Sequence, residues 1–329
     1  MVVARKANIP RIVTVAGGKG GVGKSTIAAN LALAIGRQGT RVALVDADFG
    51  AANLHTMFGV LNPKSSLADF LDHRVDGLAD AAIQVANTVE LVPGTSRPGA
   101  ANLDARSKVR LIRAITRLPA DCIVVDVGAG SSFTIVDLVA TADIKLFVLT
   151  PQLPSLHNAY ALLKACVHRV VRKLSSDDLQ QNLIDAALGN ESKARTIPQL
   201  LGVLRPLDGV LADAIVDTLL RFGVALVGNQ VANDAEINAL DRMSPLIYEH
   251  LLVHAPLWAG VRRSSALAGG LKAGANTIVD RKDPAFASFA ALARAVVDCD
   301  LARLRGEQRA TKVSTVPMWI QREAECAGT

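Results

Sequence analysis

The sequence predicts a doubly wound α/β fold, in which helices cover both faces of a mostly parallel sheet. Short apolar runs such as 11–16 and 41–46 alternate with amphipathic stretches, as strands and helices do in such folds. A glycine-rich loop follows the first of these runs, and aspartates follow others. Because ligands bind at the carboxyl ends of the strands in open α/β sheets, we expect the functional site at that edge.

The composition is that of a folded protein with a large core. Half of the 329 residues are hydrophobic, which excludes global disorder, and the length allows one large α/β domain with additions or two small domains. The formal charge of +6 permits weak attraction to nucleic acid or to an anionic membrane.

Four widely spaced cysteines without a C-x-x-C pair encode neither a disulfide framework nor a zinc or iron–sulfur site. We expect a cytoplasmic protein, since the sequence shows neither a signal peptide nor an apolar stretch long enough to cross a bilayer.

A phosphate-binding loop is the strongest motif of the chain. Residues 18–25 match the pattern G-x-x-x-x-G-K-[ST], between the strand at 11–16 and a helix predicted over 26–37. Backbone N–H groups of such a loop point into one concavity that holds phosphate oxygens, which requires glycines. Lys24 is expected to face the β- and γ-phosphates, and the Ser25 hydroxyl to bind Mg²⁺. The predicted nucleotide-binding residues of the loop are Gly18, Lys19, Gly20, Gly21, Val22, Gly23, Lys24, Ser25 and Thr26. An ordinary glycine-rich turn is the alternative interpretation.

Aspartates at the ends of two later strands are expected to serve the same site. Asp46 and Asp48 follow a strand at the carboxyl edge, beside the phosphate loop. Asp126 closes the apolar run that begins at Cys122, which is the Walker B pattern of a carboxylate that holds Mg²⁺ through water. The alternatives are a turn capped by its own aspartates and an ordinary strand that happens to end in an acid.

The rest of the chain continues the alternation of strands and helices. Further strands are predicted at 88–94, 142–151, 223–229 and 251–256. Helices are predicted at 66–71 and 104–117, and a long closing helix runs from Phe286 to Leu304.

The loop resembles the deviant Walker A motif of the MinD/ParA family of ATPases, because Lys19 places a second lysine early in residues 19–26. Residues 46–54 resemble switch I of that family, D-x-D-x-G-x-x-N-L. Residues 150–164, and the run from 126 to 130, are similar to the FlhG/FleN branch of MinD-like regulators of flagellar number and placement.

The resemblance implies a Mg²⁺-dependent ATPase with a P-loop NTPase fold. Asp48 would position or activate the attacking water, Asp46 would support the Mg²⁺ shell, and Asp126 would hold Mg²⁺ through water. The catalytic residues implied are Lys19, Lys24 and Asp48, and the metal-binding residues are Ser25, Asp46 and Asp126.

The resemblance also assigns Asn229 to the adenine base. In the family an asparagine at this place hydrogen-bonds the adenine edge. The alternative is a strand-end asparagine that caps the helix starting at Asp234.

In this family the early lysine reaches across a dimer interface to the nucleotide of the partner subunit. The resemblance therefore implies an ATP-dependent homodimer with slow ATP hydrolysis, stimulated by a partner protein. Such a switch would position a flagellum or other polar organelle, a division site or another cargo, from the cytoplasm, the inner membrane surface or a cell pole. Gln152 and Asn158 stand where the FlhG/FleN branch has acidic residues.

Two other functions remain open at this point. A ParA-like module would use the ATP dimer to bind nucleoid DNA or a membrane surface, and the basic residues 106–117 and 169–173 are the densest groups available for it. A metallocluster carrier would need cysteines that meet across the dimer, and Cys122 lies in a predicted core strand without a partner motif.

Two segments fall outside the resemblance. We predict an ATPase domain of residues 1–173 and 223–306, a helical insertion at 174–222, and a C-terminal tail at 307–329. The insertion is either a decorating subdomain or a docking platform for a partner. The tail carries basic residues around Trp319, which favours either a membrane-surface anchor or a loosely ordered end.

Overall fold

One sheet lies at the centre of the described part of the chain. The structure, a computed structural model, describes residues 9–95, 103–175, 177–188, 196–268 and 280–301. Its strands are β1 (Arg11–Ala16), β2 (Val42–Ala47), β3 (Ile83–Ala86), β4 (Val89–Val92), β5 (Cys122–Val127), β6 (Ile144–Leu149), β7 (Val224–Val231) and β8 (Leu257–Arg262). They lie in the order β3-β4-β2-β5-β1-β6-β7-β8, and within these residues only the β3–β4 pair is antiparallel. The predicted doubly wound, mostly parallel fold is confirmed.

Helices cover both faces of this sheet. They are α1 (Lys24–Gly36), α2 (Leu67–Leu71), α3 (Ala105–Thr116), α4 (Phe133–Thr141), α5 (Leu153–Leu174), α6 (Asp178–Leu188), α7 (Ile197–Leu204), α8 (Gly209–Leu220), α9 (Asp234–Asp241), α10 (Met243–Leu251), α11 (Ser265–Ala268) and α12 (Phe286–Asp298). Short 3-10 helices cover Leu54–Phe58 and Leu78–Ala81. The core on one face is built from α1 and α12, and the core on the other face from α2 to α10.

Strand β1 shows how the two cores share one strand. Its residues from Ile12 to Ala16 are all buried, so the sequence shows no polar alternation. Ile12 and Ala16 nevertheless pack in the core of α2 to α10, whereas Val13 and Val15 pack in the core of α1 and α12. The two-residue period of a strand is therefore present, with both faces apolar.

The register of the central strands brings the predicted acids together. On β5, Asp126 pairs with Asp46 of β2 and with Val15 of β1. These three strands are parallel and end at the same edge of the sheet. The loop after β1 and the segments after β2 and β5 therefore converge there.

Three predicted boundaries differ from the structure. Helix α1 begins at Lys24 rather than at residue 26, so Lys24 lies in its first turn. The strand predicted at 251–256 is wrong: α10 continues to Leu251, Leu252 ends it in a left-handed conformation with φ 55°, and the last strand begins at Leu257. An apolar run of this length fits the buried end of a helix as well as a strand. Strand β3, which forms the antiparallel edge, was not predicted.

The predicted insertion at 174–222 contains the end of α5 and all of α6, α7 and α8. Ile184, Leu204 and Ile215, one from each of these three helices, are buried in the same core as α5. The three helices therefore extend the core of that face, and the domain division itself stays a prediction. None of the helices in the described ranges is long and apolar enough to cross a bilayer. The tail at 307–329 lies outside the described residues.

A buried ion cluster joins three of the helices on this face. Asp137 of α4 is fully buried, and it accepts hydrogen bonds from Lys108 of α3 and from Arg169 of α5. The Arg169 contact is bidentate, with Nε at 2.9 Å and Nη2 at 3.2 Å from the two carboxylate oxygens. The two cations are themselves largely withdrawn from solvent, with side chains 8% and 11% exposed. Each charge of the cluster therefore depends on the others.

Removing Asp137 is expected to destabilise the protein strongly. The substitution Asp137→Ala leaves two buried cations without their carboxylate, and we expect the free energy of unfolding to fall by about 3–5 kcal/mol. Asp213→Ala is the matched control, because Asp213 pairs with Arg205 at 2.9 Å on the surface, where such a pair contributes less than about 1 kcal/mol. Urea denaturation of the two variants measures the difference, and equal losses would show that the cluster does not hold the helices together.

Candidate functional site

The phosphate loop forms a tight turn between β1 and α1. Gly21 and Gly23 have φ values of 82° and 89°, a region that side chains other than glycine rarely adopt. Gly23 is the N-cap of α1, and this helix has neither a side-chain cap nor an acidic residue in its first turn. Its first N–H groups and the positive end of its dipole are therefore available to an anion.

The two lysines of the loop lie in different surroundings. Lys24 is 7% exposed and its Nζ donates to the carbonyl oxygen of Lys19 at 3.5 Å, under the loop. Lys19 itself is exposed, and its ammonium forms no salt bridge within the described residues. One lysine is thus buried against the loop of its own chain, and the other is exposed to solvent.

Helix α5 packs directly on the start of the loop. A Cβ atom at Gly18 would lie 1.9 Å from the carbonyl oxygen of Asn158 and 2.7 Å from the backbone nitrogen of Ala159. Gly18 is therefore needed for the close approach of two backbones. Asn158 is one of the two positions at which the sequence departs from the FlhG/FleN branch, and its backbone is what the loop contacts here.

Strand β7 holds the loop from the other side. The side chain of Asn229 is buried, and its Nδ2 donates to the carbonyl oxygen of Val22 at 2.8 Å. The interpretation of Asn229 as a helix cap is wrong, because Asn233 caps α9 by accepting the N–H of Glu236 at 3.0 Å. A contact of Asn229 with adenine stays a prediction.

Asp46 and Asp48 both accept backbone N–H groups of the segment that follows β2. Asp46 is 1% exposed, and its oxygens accept from Asp48 at 3.2 Å and from Leu54 at 3.0 Å. Burial raises the pKa of Asp46 to about 6, and these N–H donors partly offset the rise. Asp48 Oδ1 accepts from Gly50 at 3.1 Å and from Ala51 at 3.2 Å, so it caps a turn in this structure.

Asp126 is the unusual member of the three acids. It is 1% exposed, and neither of its oxygens has a hydrogen-bond partner within the described residues. Burial raises its pKa to about 8, and the nearby Ser25 hydroxyl and Lys24 ammonium lower it only in part. A buried carboxylate without a donor requires a proton or a cation.

These residues fit Mg²⁺. Mg²⁺ takes oxygen ligands in octahedral geometry, keeps several waters, and is commonly bound through one or two carboxylates together with phosphates of the substrate. Asp126 offers a buried carboxylate without a partner beside the Ser25 hydroxyl. The described residues contain no group of three or more His, Cys, Asp or Glu side chains placed to share a metal ion. The site is thus suited to an ion that brings phosphate and water ligands with it.

Two large apolar side chains are exposed at the starts of helices. Phe133 begins α4 after β5, and Leu153 begins α5 after β6, so both helices begin at the carboxyl edge of the sheet. The two side chains are 71% and 81% exposed. They offer apolar surface to another molecule.

The sequence predicted the phosphate loop and the three aspartates, but it did not predict the contacts that fix the conformation of the loop. The packing of Asn158 on Gly18, and the hydrogen bond of Asn229 to Val22, depend on how α5 and β7 lie relative to the loop, and no local motif reports that. The sequence weakly indicated that Phe133 is exposed, because this apolar residue closely follows the glycines at 128 and 130.

Comparisons with known proteins agree with this geometry. The profile of the CobQ/CobB/MinD/ParA nucleotide binding domain matches residues 13–273. The chain is 38% identical over 157 residues to the antiactivator FleN of Pseudomonas aeruginosa, covering 47% of this chain and 55% of FleN. It is 34% identical over 164 residues to the flagellum site-determining protein YlxH of Helicobacter pylori, covering 47% of this chain and 53% of YlxH. The matches thus span just over half of the length of either relative.

A solved structure shows the same fold. The septum site-determining protein MinD of Pyrococcus horikoshii, complexed with Mg-ADP, superposes with a TM-score of 0.56 and 19% identity. The superposition covers 87% of this chain and 96% of that one.

The position of Asn229 leads to a prediction that separates its two roles. If it acts by holding Val22, Asn229→Ala is expected to weaken ATP and GTP binding alike, by about tenfold, because about one buried hydrogen bond to the loop is lost. Titration of both nucleotides into the variant measures this. A loss confined to ATP would instead identify Asn229 as the residue that reads the adenine edge.

The raised pKa of Asp126 makes the stability of the nucleotide-free protein depend on pH. Its pKa is about 8 in the folded chain and about 3.9 in an unfolded one, so between these values the folded state binds the extra proton and stability falls as pH rises. Asp126→Asn removes this loss. We expect the free energy of unfolding of the variant, relative to the parent, to grow by about 2–4 kcal/mol from pH 5 to pH 8. Urea denaturation without Mg²⁺ tests it, and a difference that does not change with pH would contradict the burial of an unpaired carboxylate.

Proposed function

The chain belongs to the CobQ/CobB/MinD/ParA nucleotide-binding family, and from that premise we propose that it is a Mg²⁺-dependent ATPase that acts as an ATP-driven dimerisation switch. The contrast between the two loop lysines carries this proposal. Lys24 is buried under the loop of its own chain, whereas Lys19 is exposed without a salt bridge within the described residues. The exposed ammonium of Lys19 is available to a phosphate group of a second subunit, whereas Lys24 is held within its own chain.

The residues around the loop have separate tasks in this proposal. The loop N–H groups and Lys24 bind the phosphates, and the Ser25 hydroxyl with Asp126 holds Mg²⁺. When bound, Mg²⁺ supplies positive charge against the phosphate oxygens. Asp46 acts indirectly, because both of its oxygens already accept N–H groups of Asp48 and Leu54.

Asp48 directs the attacking water in this proposal. Its Oδ1 accepts the N–H groups of Gly50 and Ala51, which fixes the carboxylate to the segment after β2. Ordering of such segments by a γ-phosphate is a common nucleotide switch. Hydrolysis is therefore expected to be slow until a partner protein or the second subunit orders this segment.

The second subunit is proposed to bind at the carboxyl edge of the sheet. Lys19, Phe133 and Leu153 are all exposed there. In an ATP-bound dimer the lysine would contact the phosphates of the partner, and the two apolar side chains would be withdrawn from water. Dimerisation then depends on ATP because the triphosphate supplies the negative charge that attracts Lys19.

The cellular role is proposed from the relatives. FleN is named as an antiactivator and YlxH as a flagellum site-determining protein, and this chain matches just over half of each. We propose that the switch positions a flagellum, a polar organelle, a division site or another cargo. Which of these applies depends on the surface that binds the dimer.

Substitution of Lys19 tests the switch. Lys19→Ala is expected to bind ATP but to stay monomeric, because the contact that crosses the dimer is lost while Lys24 remains. Asp48→Ala is the matched variant: it is expected to bind ATP, to hydrolyse it at least about tenfold more slowly, and to accumulate as a dimer. Size-exclusion chromatography with light scattering, in ATP and in ADP, measures both. Dimerisation of Lys19→Ala with ATP at the parent level would refute the role of Lys19.

A further inference from the structure

Helix α3 forms one wall of a cavity that lies apart from the nucleotide site. The cavity has a volume of about 600 Å³ and opens between α3 and residues 70–79; we call it the α3 groove. It is lined by Phe70, Asp76, Gly77, Leu78, Ala79, Arg106, Val109, Arg110, Arg113, Ala114, Arg117 and Leu118. Helix α3 follows β4, which is separated from β1 by β2 and β5. With about 4.8 Å between neighbouring strands, the groove is a different site from the phosphate loop.

Four arginines of α3 face this cavity. Arg106, Arg110, Arg113 and Arg117 are spaced by four, three and four residues, which places them on one stripe of the helix. Asp76 is the only acid among the residues that line the groove. The stripe is therefore a concentration of positive charge that the groove itself does not neutralise.

Arg110 is fixed in place as part of the wall. Its guanidinium lies over the ring of Phe70, 4.3 Å from the ring centre. It also donates to the carbonyl oxygens of Phe70 and Leu71. These acceptors are neutral, so Arg110 keeps its full positive charge at the groove.

Arg113 and Arg117 have no such partners. Both are exposed, and within the described residues their side chains form no salt bridge. They lie one helical turn apart, at a separation of about 6 Å, at which like charges repel each other. Lys108 on the same helix differs, because it points away and is paired with Asp137. The unpaired guanidinium groups are thus confined to the face of α3 that lines the cavity.

The floor between the arginines is apolar. Val109, Leu78 and Leu118 line it and are buried. A concave site of about 300–1,000 Å³ with an apolar floor and a few convergent polar groups is typical of a small-molecule site. Planar guanidinium groups bind phosphate oxygens in a bidentate manner.

We propose that the α3 groove is a second anion site, which binds a ligand carrying two or more phosphate groups. Arg113 and Arg117 bind the phosphates, and Arg110 adds charge from a fixed position. The ligand is either a free oligophosphate compound or the phosphorylated headgroup of a lipid, since both present the same chemistry. A concave groove of this volume suits such a ligand better than a convex duplex of nucleic acid.

Calorimetry with inorganic tripolyphosphate tests the proposal. Tripolyphosphate is titrated at low salt, without nucleotide, into the full chain carrying Lys24→Ala, in which binding at the phosphate loop is weakened; this Lys24→Ala chain is the parent for all groove variants. We expect binding that weakens as salt increases. The double variant Arg113→Ala with Arg117→Ala is expected to bind at least tenfold more weakly, and the matching lysine variant is expected to recover part of the loss.

The control removes the same charge elsewhere. Arg205→Ala with Arg221→Ala deletes two surface arginines that pair with Asp213 and Asp217, outside the groove. It is expected to bind tripolyphosphate like the parent. Equal loss in control and groove variants, or no binding to the Lys24→Ala parent, would overturn the proposal. Urea denaturation checks that Arg113 and Arg117 can be removed without loss of folding.

Two further probes identify the source of the phosphates. Sedimentation with vesicles that contain cardiolipin, a lipid with two phosphate groups in its headgroup, assigns the groove to lipid headgroups if it depends on Arg113 and Arg117. Tripolyphosphate binding without vesicle binding assigns it to a free oligophosphate. Retention of duplex DNA that needs the same arginines, with no tripolyphosphate binding, would refute the small-anion site. None of these outcomes depends on Lys19 or on dimerisation, so the groove and the proposed switch succeed or fail separately.

Discussion

A carboxylate buried without a hydrogen-bond donor is the constraint on which the rest of the site depends. Asp126 lies near the end of β5, between β1 and β2, and each of these pairings extends over most of the strand. The carboxylate cannot move toward solvent without breaking the centre of the sheet. Burial raises its pKa to about 8, so a proton neutralises it near neutral pH. In the proposed ATPase a cation would take the place of that proton. The fold thus gives up stability at this position, as functional sites commonly do.

The phosphate loop is held in its binding conformation by contacts that come from distant parts of the chain. Helix α5 supports it through the close approach at Gly18, and β7 supports it through Asn229. A loop fixed before binding loses less conformational entropy when the phosphates arrive. The same contacts mean that any movement of α5 or β7 shifts the loop. The helices α6 to α8 connect these two elements. A molecule that binds α6 to α8 and moves α5 or β7 would therefore also move the phosphate loop.

The sequence predicted the features that depend only on residues close together along the chain. The spacing of glycine, lysine and serine in residues 18–25 predicts the loop, and apolar runs that end in aspartate predict the strands beside it. The sequence did not predict the features that depend on the order of the strands in the sheet. The hydrogen bond between Asn229 and Val22 joins residues 207 positions apart. The run at 251–256 was assigned to a strand because it is apolar, but after Leu251 it is the connection to the last strand, in which Val253 and Ala255 are buried. The arginines of α3 were visible as charges, whereas their groove exists only because residues 70–79 pack against that helix.

The arrangement around α4 limits how the switch can move. The ring of Phe133, the first residue of α4, lies 5.1 Å from the guanidinium of Arg169, which is bound to the same Asp137 as Lys108. Because Asp137 is fully buried between the two cations, α4 is held to both α3 and α5 by charged contacts. A change at the nucleotide must then be absorbed between the end of β5 and the start of α4. Gly130 lies in that segment with φ 101°, and glycine is the residue that changes its backbone conformation at least cost. The segment 128–132 is therefore the part of this region in which the backbone can change conformation without moving α4.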